Sequence, residues 1–183
     1  MKDIALTGLS RSGKDSVAAR LVEAYGYVRV AFADTLKEAA LKANPYIPVD
    51  EYGADWDRLS DVVSLHGWEM AKDAFPEVRR FLQYYGQTVR EIDPEFWIRA
   101  AWPAAVRAKR ARRPVVFTDV RYVNEADMLR RNGFRIVRVV RPGQVPGDHP
   151  SEREMLAYPV DETIVNDNTL AVLAVKAGGL ALL

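Results

Sequence analysis

The segment Gly8-Leu9-Ser10-Arg11-Ser12-Gly13-Lys14-Asp15-Ser16 directly follows the apolar run Ile4-Ala5-Leu6. Glycine at both ends lets a backbone turn sharply and point successive N–H groups inward, where a side chain would collide with a bound anion. The lysine adds a point charge for the outer phosphates of a nucleotide. A strand before the segment and a helix after it would place the positive end of the helix dipole at that anion. The segment, called the phosphate loop below, therefore predicts a nucleotide site. The alternative is a plain turn with an exposed lysine.

Asp15 departs from the usual G-x-x-x-x-G-K-[ST] form of this loop, and a hydroxyl follows only at Ser16. Magnesium takes oxygen ligands and keeps several waters, so a carboxylate can replace a hydroxyl as a direct or water-mediated ligand. We predict Asp15 and Ser16 as the ligands of Mg²⁺. The helix dipole also favours an acid in the first turn of a helix, and the two interpretations are compatible.

The composition indicates a single soluble domain. Of the 183 residues 49% are apolar, which is enough for one core. Lys+Arg number 26 and Asp+Glu 25, a balance that does not favour binding of nucleic acid through its phosphates. The absence of cysteine excludes disulfides and thiolate metal sites and suits a reducing cytoplasm. No apolar run approaches the roughly 18 residues of a membrane span, and the acidic start of the chain argues against a signal peptide.

Strand and helix signals alternate along much of the chain, which is typical of a parallel sheet with helices on its faces. Gly26 is expected to end a helix. A second helix is expected to begin at Asp34 or Thr35, and a later one at Asn168 or Thr169. The predicted strands are 3–7, 27–32, 115–119, 135–140 and 162–165, and the predicted helices are 13–25, 35–43, 122–132 and 169–176. The fold class predicted is α/β, a P-loop NTPase three-layer fold with a parallel five-stranded sheet.

Residues 44–114 have a different character. They hold all four tryptophans and the prolines Pro45, Pro48, Pro76, Pro94 and Pro103, and their apolar spacing indicates helices joined by loops rather than strands. We predict one domain, with a core of residues 1–43 and 115–183 and a helical insertion at about 44–114. Residues 141–159, called the lid segment below, contain four prolines and two glycines and predict a mobile loop.

An acid and an arginine end the run Val115-Val116-Phe117-Thr118-Asp119-Val120-Arg121. The carboxyl ends of parallel strands are where such sheets bind ligands. Asp119 could orient the water shell of magnesium or accept a hydrogen bond from an acceptor substrate, and Arg121 could hold a phosphate bidentately. The alternative is a strand-end turn with an exposed ion pair.

A third cluster lies in the insertion, in Arg79, Arg80, Gln83, Gly86 and Arg90 and then at Trp97. Arginine can hold a phosphate, an amide can bind the edge of a base, and an aromatic ring can stack on it. These are the parts of a nucleotide acceptor site. The alternative is that the aromatic residues are core and the arginines are solvated.

Together these motifs resemble the bacteriophage deoxynucleoside monophosphate kinases, a family of P-loop kinases. The resemblance rests on S-G-K-D at 12–15, R-R-x-x-Q-x-x-G at 79–86, Trp97, D-x-R at 119–121, V-V-R-P-G-Q at 139–144, H-x-S-E at 149–152 and Asn166-Asp167. It implies ATP and Mg²⁺ as cofactors, with ATP on Arg11, Ser12, Gly13, Lys14, Asp15, Ser16 and Arg141. It implies a deoxynucleoside monophosphate (dNMP) on Ser10, Lys37, Arg79, Arg80, Gln83, Gly86, Trp97, Asp119, Arg121 and Glu125. The partners implied are these two substrates, without nucleic acid or membrane, in the cytoplasm (the host cytoplasm for a phage-encoded chain). A homodimer is left open.

Phosphoryl transfer needs positioning and charge neutralisation rather than a nucleophilic side chain. We therefore expect Lys14, Arg11, Arg121 and Asp119 to carry catalysis, with Arg141 sharing the charge. Two alternatives remain. A kinase of the phosphomevalonate type has a similar loop but needs neither Gln83 nor a flat aromatic wall. A nucleotide-binding module without activity needs no second arginine-rich site.

Overall fold

The computed structural model describes residues 1–50 and 52–182. Its strands are β1 Ile4–Thr7, β2 Val28–Val30, β3 Tyr46–Pro48, β4 Trp56–Arg58, β5 Val115–Val120, β6 Arg135–Val140 and β7 Glu162–Val165. Its helices are α1 Lys14–Tyr25, α2 Phe32–Ala43, α3 Leu59–Ala74, α4 Pro76–Ile92, α5 Phe96–Arg110, α6 Val123–Arg131, α7 Pro150–Arg153 and α8 Leu170–Leu182. The chain divides into two compact units, the first made of residues 1–32 and the chain from 98 onwards, the second of Ala33–Trp97.

A five-stranded sheet organises the first unit, in the order β2-β5-β1-β6-β7, and every pairing is parallel. Strand β1 lies in the middle, with Ile4 opposite Val116 on one side and Arg135 on the other. A parallel sheet buried on both faces reads as continuous apolar strands, and all four residues of β1 are buried. The prediction of an α/β fold with a parallel five-stranded sheet is confirmed.

The side chains of the strands alternate between two helix layers. Ile4 and Leu6 pack in one apolar cluster with residues of α1 and α8, whereas Ala5 packs in another with residues of α5 and α6. The same alternation separates Val116 from Phe117 on β5. This period of two is what a strand covered on both faces requires. The sheet with its two helix layers thus forms the three-layer core.

Several predicted boundaries of this unit are confirmed and others are corrected. Gly26 ends α1 with φ 70°, and its N–H donates to the carbonyls of Leu21 and Val22. Thr169 caps the N-terminus of α8, since its Oγ1 accepts from the Val172 N–H at 3.4 Å. The start of α2 at Asp34 or Thr35 was wrong, because the helix begins at Phe32 and strand β2 already ends at residue 30.

The second unit has its own apolar core, formed by Ala40, Ile47, Leu59, Val62, Ala71, Val78 and Leu82. Helices α3 and α4 supply most of this core, and Gly67 interrupts α3 with a non-helical φ of 69°. The prediction that residues 44–114 lack strands was wrong. Strands β3 and β4 form an antiparallel hairpin, pairing Tyr46 with Arg58 and Ile47 with Asp57. Only Ile47 of the six strand residues is buried, so no alternation marks these strands in the sequence.

The limits of the second unit also differ from the insertion expected at 44–114. Leu36 and Leu41 of α2 pack against the core of the second unit, which extends it to residue 33. Ala101 and Ala105 of α5 pack against the core of the first unit, which ends the insertion at residue 97. Each helix is assigned by the core that its apolar face contacts.

Candidate active site

The phosphate loop connects the buried end of β1 to the first turn of α1, as the sequence predicts. Gly8 and Gly13 have φ values of 141° and 109°, which residues with a side chain rarely adopt. A Cβ on Gly8 would collide with the carbonyl oxygen of Val139, and one on Gly13 would lie 2.6 Å from Nδ2 of Asn166. Both positions therefore exclude a side chain for reasons of conformation and of space.

Ser12 lies in the floor of this turn, with 1% of its surface exposed. Its Oγ is buried and makes no hydrogen bond to any residue that the structure describes. Its carbonyl accepts a hydrogen bond of 2.9 Å from the side-chain amide of Asn166, which follows β7. Buried hydroxyl groups normally have a partner, so the Ser12 hydroxyl is suited to a ligand atom at the loop.

Lys14 opens helix α1 and is 6% exposed. Its Nζ donates to the carbonyls of Gly8 at 2.9 Å and Leu9 at 2.7 Å, so the side chain folds back over the loop. Burial, together with the positive charge of Arg121, lowers the pKa of Lys14 from 10.5 to about 8. An anion beside the amine would oppose this shift, because it stabilises the charged form.

Asp15 and Ser16 follow in the first turn of α1, where backbone N–H groups have no acceptor within the helix. Both residues are exposed, as is Arg11 on the loop, which adopts a φ of 60°. Among residues 1–50 and 52–182 no group of three or more His, Asp or Glu residues could hold a metal ion. Asp15 and Ser16 still fit Mg²⁺, because its remaining ligands can be waters and phosphate oxygens.

The end of β5 lies beside the phosphate loop, since β5 pairs with β1. An Oδ1 of Asp119 accepts a hydrogen bond from the Phe32 N–H at 3.0 Å. Glu125 is fully buried, and its Oε2 accepts from the N–H groups of Arg121 at 2.9 Å and Tyr122 at 3.2 Å. Glu125 thus holds the backbone that carries Arg121, a positioning contact that the sequence did not predict.

The lid segment contacts the phosphate loop directly. Glu152 forms an ion pair with Arg121, with 2.6 Å between Oε1 and Nη1, and its Oε2 lies 3.4 Å from the N–H of Ser10. The side-chain amide of Gln144 donates to the Ser10 carbonyl at 2.7 Å. Arg141 is exposed. A cavity of about 290 Å³ lies between these residues and the ends of β1, β5 and β6. Its lining combines apolar side chains such as Val120 and Met155 with Arg121 and Glu152.

The predicted acceptor arginines lie on α4 in the second unit. Arg79 pairs with Asp73 at 3.1 Å, and Arg80, whose side chain is 72% exposed, pairs with Glu77. Gln83 lies half-buried on the same helix. Lys37 on α2 lies over the ring of Trp68, 5.5 Å from its centroid. These contacts leave the polar heads of both arginines at the surface of the unit.

Trp97 lies in the core of the second unit rather than at its surface. Its exposure is 2%, and its indole N–H donates to the carbonyl of Gly86 at 3.0 Å. A Cβ on Gly86 would lie 3.1 Å from a methyl group of Leu36, so the glycine permits close packing of α2 and α4. Trp97 and Gly86 therefore shape the unit from within, and little of the tryptophan ring is available for stacking on a base.

The structure brings one part of the predicted site together within the first unit, namely Ser10, Arg11, Ser12, Gly13, Lys14, Asp15, Ser16, Asp119, Arg121, Glu125 and Arg141. Lys37, Arg79, Arg80, Gln83, Gly86 and Trp97 belong to the second. Sequence reasoning gave no role to Gln144, Glu152 or Asn166, although each occurs in a quoted motif. Only the tertiary contacts bring these residues to the phosphate loop.

Relatives of this chain occur among viral proteins. A protein of Acanthamoeba polyphaga mimivirus named "Putative deoxynucleotide monophosphate kinase" is 29% identical over 182 residues, covering 91% of this chain and 89% of the relative. The uncharacterised protein ORF77 of Ictalurid herpesvirus 1 (strain Auburn) is 36% identical over 102 residues, 52% of this chain and 44% of the relative. ORF76 of the same virus is 27% identical over 190 residues, 98% of this chain and 68% of the relative.

Two solved structures are similar in outline. A gluconokinase from Sinorhizobium meliloti 1021 has a TM-score of 0.44 at 17% identity and covers 99% of this chain and 92% of its own. The APS kinase CysC of Mycobacterium tuberculosis, as a Cys556Ala mutant, has a TM-score of 0.41 at 16% identity. The match covers 100% of this chain and 99% of the APS kinase chain. At these TM-scores the likeness carries no argument about function.

A model of the family described as deoxynucleotide monophosphate kinase matches residues 60–177, more than half of the chain. The match contains helix α4 with Arg79, Arg80 and Gln83, the end of β5 and the lid segment, and it begins after the phosphate loop. The resemblance drawn from the motifs is confirmed at the level of the family. The chain belongs to the deoxynucleotide monophosphate kinase family.

Proposed function

We propose that the protein transfers the γ-phosphoryl group of ATP to the 5′-phosphate of a deoxynucleoside monophosphate. The observation that carries the proposal is the geometry of the phosphate loop. Positions 8 and 13 have no room for a side chain, and the Ser12 hydroxyl and Lys14 are both buried in the loop. Such a turn at a helix N-terminus suits the phosphates of a nucleotide. Membership of the family favours a deoxynucleotide as acceptor.

In the proposed reaction an oxygen of the acceptor phosphate attacks the γ-phosphorus in line, and the bond from phosphorus to the β–γ bridging oxygen breaks to release ADP. Lys14 and the arginines Arg11, Arg121 and Arg141 share the negative charge that spreads over the transferred group. Asp15 and Ser16 would hold Mg²⁺, which supplies further charge neutralisation when bound. No side chain acts as a nucleophile.

Within the first unit, acceptor binding is proposed for Ser10, Asp119 and Arg121. Within the second unit considered by itself, the ability to bind a phosphate or a base is proposed for Lys37, Arg79, Arg80 and Gln83. The contacts change the proposed roles of three other residues. Glu125, Gly86 and Trp97 act as positioning residues, since Glu125 holds the Arg121 backbone and Trp97 bonds to Gly86. Arginine side chains at the surface of α4 remain available to a phosphate.

None of the helices among residues 1–50 and 52–182 is long and apolar enough to cross a membrane. We propose that the reaction takes place in the cytoplasm, where both nucleotide substrates are present.

The test is an assay of ADP formation with ATP, Mg²⁺ and a panel of dNMPs, ribonucleoside monophosphates and mevalonate phosphate. We expect turnover with at least one dNMP and a loss on the order of a thousandfold in Lys14→Ala. Lys42→Ala is the matched control, because Lys42 is exposed on α2. Turnover with mevalonate phosphate alone, ATP binding without any transfer, or near-normal turnover in Lys14→Ala would each contradict the proposal.

A further inference from the structure

Glu152 of the lid segment occupies hydrogen-bond donors that a phosphate would also use. Its Oε1 lies 2.6 Å from Nη1 of Arg121, and its Oε2 accepts from the N–H of Ser10 at 3.4 Å. The side chain of Glu152 is 16% exposed and that of Arg121 is 29% exposed, so the pair is largely shielded from water. A guanidinium and a loop N–H are the donors that bind phosphate oxygens in proteins.

The charges around Lys14 also indicate that Glu152 takes the place of a phosphate. Arg121 lowers the pKa of Lys14, while Glu152 raises it together with Asp15 and Asp119. The carboxylate of Glu152 therefore offsets the repulsion between two neighbouring cations. Negative charge on a nucleotide phosphate would do the same, and two anions beside one guanidinium repel each other.

The lid segment is also tied to the loop beside this ion pair. Gln144 donates to the Ser10 carbonyl at 2.7 Å, while Glu152 accepts from the Ser10 N–H, so both backbone groups of one loop residue are engaged. The cavity that the segment covers measures about 290 Å³. Ligand pockets commonly measure about 300–1,000 Å³, so this cavity is at the lower end of the range for a bound small molecule.

We propose that Glu152 is a built-in competitor of the substrate phosphate, holding Arg121 and the Ser10 N–H until a phosphate group of a bound nucleotide displaces it. This inference rests on the proposed function and adds a mode of regulation to it. Binding of the phosphate exchanges one anion for another at the same guanidinium. Displacing the carboxylate removes one of the two contacts that tie the lid segment to Ser10, the other being that of Gln144, so substrate binding and the position of Glu152 are coupled.

The test uses Glu152→Gln, which keeps the shape of the side chain and removes its charge. Calorimetric titrations with tripolyphosphate probe the donor phosphates, and titrations with thymidine 5′-monophosphate probe the acceptor phosphate. We expect Glu152→Gln to bind at least one of the two about tenfold more tightly than the wild type, because a charge-assisted hydrogen bond no longer has to be broken. The probe whose binding tightens identifies the phosphate that competes.

Asp148→Asn is the matched control, since Asp148 lies in the same segment, is fully exposed and pairs with Arg153. It should leave both affinities unchanged. Unchanged or weaker binding of both probes by Glu152→Gln would overturn the inference and make Glu152 a positioning residue. If Glu152→Gln unfolds, Glu152→Asp takes its place, with smaller tightening expected because the carboxylate is drawn back from Arg121. The assay of ADP formation tests the proposed function separately. If the wild type transfers phosphate but Glu152→Gln binds neither probe more tightly, the role of Glu152 as a competitor is refuted and the proposed function stands.

Discussion

Replacing Lys14 by methionine should remove a pH-dependent penalty on folding while abolishing the binding of nucleotide. The folded state holds the ammonium group at 6% exposure and lowers its pKa from 10.5 to about 8, chiefly through burial and then through Arg121. The folded protein therefore binds this proton more weakly than the unfolded chain does. Charge on Lys14 opposes folding at neutral pH, and the opposition disappears as the pH rises towards the unfolded value of 10.5.

The size of the effect follows from the shift. Lowering the pKa of Lys14 from 10.5 to about 8 opposes folding by about 3 kcal/mol near neutral pH. Methionine has no charge to desolvate, but it also loses the hydrogen bonds from Nζ to the carbonyls of Gly8 and Leu9. The pH dependence separates the removal of the charge from the loss of the hydrogen bonds. The lost hydrogen bonds change the stability difference between wild type and variant by the same amount at every pH, whereas the effect of the charge varies with pH.

The assay is urea unfolding of the wild type and Lys14→Met at a series of pH values. The stability of the wild type relative to the variant should rise by about 2.5 kcal/mol between about pH 7 and about pH 10. Lys42→Met, altered at an exposed lysine, is the control. A pH-independent difference between wild type and Lys14→Met would refute the reasoning. ATP should raise the unfolding midpoint of the wild type but not of Lys14→Met.

Other contacts lead to further expectations. Gly13→Ala places a Cβ against Nδ2 of Asn166 at a φ of 109° and should lower the free energy of unfolding by about 2 kcal/mol in urea titrations; a neutral result would contradict the strain. Asn166→Ala removes the hydrogen bond to the Ser12 carbonyl and should weaken ATP binding about tenfold by calorimetry, whereas unchanged affinity would show that the bond does not shape the loop. Trp97→Phe leaves the buried Gly86 carbonyl without the indole donor and should lower the free energy of unfolding by about 1–3 kcal/mol. A loss of dNMP affinity without a loss of stability would instead indicate that Trp97 contacts the base directly.

The sequence predicted the first unit well because its signals are local. Strand β1 is buried throughout, and β5 begins with three buried apolar residues, so both read as strands of a buried sheet. The glycines of the phosphate loop were recognisable because φ values of 141° and 109° exclude most other residues. The end of α1 at Gly26 follows from the same preference, which acts within a few residues of the chain.

The second unit was predicted less well, because its features depend on contacts distant in sequence. The hairpin of β3 and β4 has three residues a strand and leaves Tyr46 and Trp56 exposed, so neither alternation nor length distinguishes it from a loop. Trp97 could be core or a binding surface by its residue type alone, and only its bond to Gly86 decides between them. No local pattern indicates that Glu152 reaches Arg121, since 31 positions separate them.

The central position of β1 has a consequence for how the protein is made. Its hydrogen-bonding edges are satisfied by β5 and β6, and Ile4 pairs with Val116 and Arg135. Strand β1 is synthesised before both of its neighbours, so it must wait until β5 and β6 have followed before its part of the sheet can close. A nascent chain stalled before β6 has no neighbour for that edge of β1, so it cannot yet hold the phosphate loop in shape. A growing chain is thus expected to acquire nucleotide binding only after β6 has been made, although the residues of the loop are synthesised well before that strand.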